Sequence, residues 1–81
     1  MYNPSLAYRR VRLYGRDALK IQATRHTLFG GAVSYRTIPD LTVEQLTSWL
    51  AGDGLIQEEL SHLPIVDREF LLTGLNPGEQ L

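Results

Sequence analysis

The chain contains no cysteine, which excludes a disulfide framework, a thiolate metal site and a cysteine nucleophile. Whatever core it forms must hold by packing alone. It also lacks any apolar run near the roughly 18 residues a membrane span requires, and its first residues lack the basic, apolar, then small-residue order of a secretory signal. The expectation is a soluble, cytoplasmic protein with no membrane partner. With 81 residues there is not enough chain for two independent cores, so residues 1–81 are read as a single domain.

The other absences concern charge. Residues 1–38 carry seven basic groups against one acid, Asp17, a charge of +6. Residues 39–81 carry only Arg68 against eight acids, a charge of −7, so the formal net charge of −1 conceals two halves of opposite sign. Such halves either attract one another or present two surfaces to partners.

The basic half alternates apolar and polar residues with period two, which predicts strands separated by turns. In the first run, about 7–14, Val11 and Leu13 point one way while Tyr8, Arg10, Arg12 and Tyr14 point the other. Gly15, Arg16 and Asp17 are read as the turn. The second run sets Leu19, Ile21 and Ala23 against Lys20, Gln22 and Thr24. Gly30 and Gly31 suit a two-residue hairpin turn leading to a third run at about 32–37. The core face is expected to hold Val11, Leu13, Leu19, Ile21, Val33 and Tyr35. The opposite face would hold Tyr8, Arg10, Arg12, Tyr14, Lys20, Ser34 and Arg36.

The acidic half predicts short helices. Thr42 with Gln45 forms a capping box, Leu41 and Leu46 a hydrophobic staple, and Gly52 a left-handed stop, with Leu46, Trp49 and Leu50 turned inward. Asp53 is expected to cap a second helix containing Leu55, Ile56, Glu58, Glu59 and Leu60. Pro64 then occupies the first position of a third helix, whose stripe is Ile65, Val66, Phe70 and Leu72 and whose stop is Gly74. Asn76, Pro77 and Glu79 begin a further helix-like signal that is expected to fray. The fold class that follows is α+β: a small antiparallel sheet of about three strands, covered on one face by two to three short helices. Covering one face leaves the Tyr/Arg face open.

From Ile38 onward the chain resembles a group of short, uncharacterised proteins encoded by bacteriophages and related mobile elements. The residues that carry the resemblance are Ile38-Pro39-Asp40-Leu41-Thr42, then Trp49-Leu50-Ala51-Gly52, Ile56-Gln57, and Arg68-Glu69-Phe70-Leu71 with Thr73-Gly74. Here Asp53, Gly54 and Leu55 lie between the glycine and the Ile-Gln pair, one residue more than in the pattern. The resemblance implies a phage-type origin within a bacterial host cell and a compact helical module, and it implies no chemistry.

Catalytic material is sparse. His26 and His62 fall in different expected elements and neither has a nucleophile and carboxylate at a usable spacing. Ser61 beside His62 is adjacency without geometry. Two histidines without cysteine or a helical His-His spacing make a poor metal site, and Gly30-Gly31 lacks the flanks of a phosphate loop. No enzyme, no metal and no cofactor is expected.

The expected binding surface is Tyr8, Arg10, Arg12, Tyr14, Lys20 and Arg36, where cations for an anionic partner meet aromatic rings. Glu44, Asp53, Glu58 and Glu59 form a secondary acidic surface, either a solvated helix face or a mimic of phosphates. The leading function is a non-enzymatic binder of a host protein or nucleoprotein complex that modulates or inhibits it, as anti-CRISPR proteins do. The alternative is a nucleic-acid-binding regulator using the same basic face. Pairing of the two charged faces would give a homo-oligomer.

Overall fold

The structure is a computed structural model that describes residues 4–52 and 54–79. Three strands, β1 (Ser5–Leu13), β2 (Arg16–Thr27) and β3 (Gly30–Pro39), precede three helices, α1 (Val43–Ala51), α2 (Ile56–Glu59) and α3 (Ile65–Thr73). The strands form one antiparallel meander in the order β1-β2-β3, and the short helices follow, so the α+β expectation is met.

Two turns set the register. Tyr14 and Gly15 both take positive φ (51° and 77°), the backbone of a two-residue hairpin turn whose twist matches its strands. The turn is therefore one step earlier than Gly15, Arg16 and Asp17. At the other end Leu28 and Phe29 form the tip, Thr27 pairs with Gly30, and Gly30 supplies the positive φ of 119°. The Thr27 hydroxyl accepts the Phe29 amide at 3.2 Å, which fixes the tip locally. Gly30 and Gly31 thus open β3 and do not themselves form the turn.

Because both connections have two residues, every even position pairs with an odd one: Tyr8 with Ile21, Arg10 with Leu19, and Ile21 in turn with Arg36. Paired residues share a face. The helix-facing side is accordingly Leu6, Tyr8 and Arg10 on β1, Leu19, Ile21 and Ala23 on β2, and Ser34, Arg36 and Ile38 on β3. This corrects the expected core face. Val11, Leu13, Val33 and Tyr35 point away from the helices, since a one-residue shift in a turn reverses a whole strand.

Among the described residues one core cluster forms beneath the helices. It joins Leu19, Ile21, Ala23 and Ile38 of the sheet to Leu41, Leu46, Ile56, Leu60, Leu63, Phe70 and Leu71, with Leu6, Val43 and Trp49 at its margin. Thr42 caps α1 as the sequence predicts: its hydroxyl accepts the Gln45 amide at 3.1 Å and the Gln45 side chain accepts the Thr42 amide at 3.0 Å. Gly52 ends α1 in extended rather than left-handed backbone (φ −99°, ψ 176°), and Leu50 is exposed. The expected Asp53 cap lies outside the described residues. α2 is a single turn that starts after Leu55 without a side-chain cap.

Pro64 stands at the cap of α3, one position before the helix, and Gly74 stops it in the left-handed region with its amide bonded to Phe70 at 2.7 Å. A side chain at Gly74 would also meet Arg25 and Pro4 at 3.0–3.2 Å. The buried stripe of α3 is Asp67, Phe70 and Leu71, whereas Ile65, Val66 and Leu72 are exposed. The helix is thus rotated from the expected stripe, because Asp67 must reach the sheet.

Candidate functional site

The two sides of the sheet have opposite chemistry. On the helix side, polar strand residues are matched by acids and amides from the second half of the chain. Arg36 Nε donates to Asp67 at 2.5 Å, and Arg36 Nη1 donates to the Asn76 side chain at 3.2 Å. The Ser34 hydroxyl donates to Glu79 at 3.0 Å, and Arg25 approaches the same hydroxyl at 3.4 Å. Arg16 pairs with Asp40 at the strand-to-helix corner, and His62 Nε2 donates to the Asp40 carbonyl at 2.9 Å. The halves therefore do attract one another, through specific contacts.

Residues 76–79 belong to this network. Asn76 donates its side-chain amide to the Tyr35 carbonyl at 2.9 Å, and its backbone amide to Glu79 at 2.5 Å. The Glu79 carboxyl is held below the ordinary carboxylate range, chiefly by that Asn76 amide and against a smaller effect of burial, with Ser34 and the Arg25 charge assisting. The segment expected to fray is, as far as Glu79, docked on β3.

The open side presents three adjoining rows read from the register. Arg9, Lys20 and Thr37 form the first; Ala7, Gln22 and Tyr35 the second; Val11, Ala18 and Pro39 the third. Leu13 with Arg16 lies beyond the third row, and Thr24 with Val33, then His26, beyond the second. No carboxylate occurs within the three rows, and at the end of this side Arg16 is paired with the exposed Asp40. Arg9 stands directly opposite Lys20, an arrangement of like charges that costs stability in a sheet. Lys20 Nζ lies 5.2 Å from the centre of the Tyr35 ring, a cation-π distance. Between them is an open recess of about 380 Å³, lined by Ala7, Tyr8, Arg9, Lys20, Gln22 and Tyr35.

The six residues expected to form one surface are divided by the register. Lys20 is on the open side. Tyr8 and Arg10 lie on the helix side of β1, at the sheet's outer edge, and both are exposed. Arg12 shares that parity and pairs with the exposed Asp17 at 3.6 Å. Tyr14 is in the hairpin turn, 96% exposed. Arg36 is committed beneath the helices to Asp67 and Asn76. Sequence reasoning missed Arg9, Gln22 and Tyr35, and the signal that finds them is the Tyr14-Gly15 turn, which fixes the parity of β1 and hence every face.

Among the described residues Arg9, Arg10 and Lys20 form no ion pair. At the far end of the sheet the hairpin tip exposes Leu28 and Phe29 almost completely, at 98% and 99%. Of the acidic surface, Glu44 is exposed in the first turn of α1, and Glu58 and Glu59 are exposed on α2. The Glu59 side chain lies over Gly54, where an added Cβ would come within 2.7 Å. Asp53 is outside the described residues. His26 is exposed on the open side, apart from His62. Among the described residues no three metal-ligating side chains converge, and no helix is long and apolar enough to cross a membrane. No family model matches the chain, and no similar curated protein or solved structure was found.

Proposed function

We propose that the chain is a non-enzymatic binding protein of phage or mobile-element type, which docks through the open side of its sheet on an acidic surface of a host protein or nucleoprotein and restrains that partner's activity. The observation that carries this reading is the open face whose three rows hold no carboxylate and on which Arg9 is held opposite Lys20. Like charges placed together at a cost to the free molecule are relieved when an anionic partner covers them. The apolar residues around them, Val11, Leu13 and Val33 with half-exposed Tyr35, give the mixture of ring, cation and aliphatic surface that protein interfaces use. The histidines support a binder over a catalyst, since His62 is spent on the Asp40 carbonyl. The phage-type resemblance of residues 38–74 supports action on a host component, of the anti-defence kind.

A nucleic-acid-binding regulator is the second reading, favoured by the same missing carboxylates and by Tyr35 as a stacking ring beside two cations. Capture from a bacterial lysate, with and without nuclease and over a salt series, separates the two. The expected result is a nuclease-resistant partner whose retention falls about tenfold in an Arg9→Glu/Lys20→Glu variant of unchanged fold. Capture that disappears with nuclease and falls steeply with salt would favour the regulator. Equal capture by the variant would remove the open face from both readings.

A further inference from the structure

Leu13 and Arg16 close a two-residue hairpin, so they exchange both backbone hydrogen bonds, and the uninterrupted register makes Val11, Arg9 and Ala7 do the same with β2. The amides and carbonyls of Leu6, Tyr8, Arg10 and Arg12 therefore point outward from the sheet. The same counting across β2 and β3 sends the Tyr35 carbonyl outward, where the Asn76 side chain bonds it. That one outward group of β3 is thereby taken, while those of Val33 and Thr37 have no partner among the described residues. Among the described residues nothing bonds the outward backbone groups of β1.

We infer that the outer edge of β1 receives an extended acidic segment of the protein partner, which adds to the sheet as a fourth strand. This rests on the reading of the chain as a binder of acidic protein surfaces and names the part of the partner that it grips. Main-chain bonds to an exposed edge supply affinity in strand addition, and side chains on alternate sides supply selectivity. On β1 both sides are cationic: Arg9 rises on the open face, Arg10 and Arg12 on the other, offset only by Asp17 beside Arg12 and by Glu44 across a shallow recess from Arg10. A second copy is a poor occupant, because pairing β1 with itself brings arginine beside arginine. Toward the start of β1, Leu6 borders a recess of about 220 Å³ walled by Pro4, Trp49, Leu50, Leu71 and Leu72. It accepts one apolar side chain of the added strand.

The probe is a synthetic nine-residue peptide, matched to the length of β1, alternating glutamate with valine and ending in leucine, with a lysine-for-glutamate peptide as control. Amide hydrogen exchange on the full chain is the readout. The acidic peptide should slow exchange at Tyr8, Arg10 and Arg12 and leave Arg9 and Val11, already bonded to β2, unchanged. Arg10→Pro removes an outward donor without touching the bonds to β2 and should weaken the peptide about tenfold. Should proline prevent folding, Arg10→Glu/Arg12→Glu gives the same loss. Absence of binding, binding of both peptides alike, or binding without protection at Tyr8, Arg10 and Arg12 overturns the inference. Perturbation confined to Lys20, Gln22 and Tyr35 sinks the edge while leaving the open-face reading intact. Edge protection together with partner capture that survives Arg9→Glu/Lys20→Glu sinks the open-face reading alone.

Discussion

Phe70→Ala should remove about 3–5 kcal/mol of stability, the usual cost of emptying a fully buried aromatic site. Phe70 is 0% exposed and is the largest completely buried side chain among the described residues, joined in one cluster to Ile21 and Ile38 of the sheet and to Leu46, Leu60 and Leu71 of the helical half. A chain of this length has roughly 4–12 kcal/mol in total, so the loss takes a large part of it. Since each kcal/mol moves a small domain by about 4–8 °C, Tm should fall by at least about 12 °C. Thermal unfolding followed by circular dichroism checks this. A shift of only a few degrees would mean that the helices are not packed on the sheet through Phe70.

Asp67→Ala should be nearly as costly, at about 2–4 kcal/mol, for a different reason. Its side chain is almost wholly buried and is bonded to Arg36, whose side chain is itself three-quarters covered. Removing one member leaves the other charge desolvated and unpaired. The double replacement Arg36→Met/Asp67→Leu should recover most of the loss, because well-packed apolar groups substitute for a buried pair at little cost. A denaturant series on the two single variants and the double variant gives the coupling. Additive losses would show that the contact contributes nothing beyond its separate residues.

The same pair explains where the sequence could and could not be read. The capping box at Thr42 and the stop at Gly74 depend on residues a few positions apart, and both are found where local pattern puts them. The buried Asp67 depends on Arg36, 31 positions away, and no local pattern anticipates it. An acid inside an apolar stripe reads as the solvent side of a helix, so the pattern predicts Ile65 and Val66 turned inward. The strands show the same limit. Alternation correctly divides β2, where Leu19, Ile21 and Ala23 are consistently apolar. In β3 it favours Val33 and Tyr35 over Ser34 and Arg36, and that choice is wrong because Ser34 and Arg36 are satisfied by Glu79, Asp67 and Asn76. In β1 the error is one of turn placement. Gly15 carries a turn signal in the sequence, whereas Tyr14 in left-handed backbone, unusual for a bulky residue, carries none.

Correcting the faces changes which cations are available to a partner. Arg36 is withdrawn into the fold, Arg10 and Arg12 move to the edge, and Arg9 joins Lys20 on the open side. The acidic half, instead of forming a free counter-surface throughout, spends Asp40, Asp67 and Glu79 on the sheet and leaves Glu44, Glu58 and Glu59 exposed.

Amide chemical-shift mapping of the isotope-labelled chain against its captured partner tests the central claim most directly. Docking through the open side predicts perturbations centred on Ala7, Arg9, Lys20, Gln22 and Tyr35, with α2 unaffected. Perturbations centred on Glu44, Glu58 and Glu59, with the open side of the sheet silent, would contradict it.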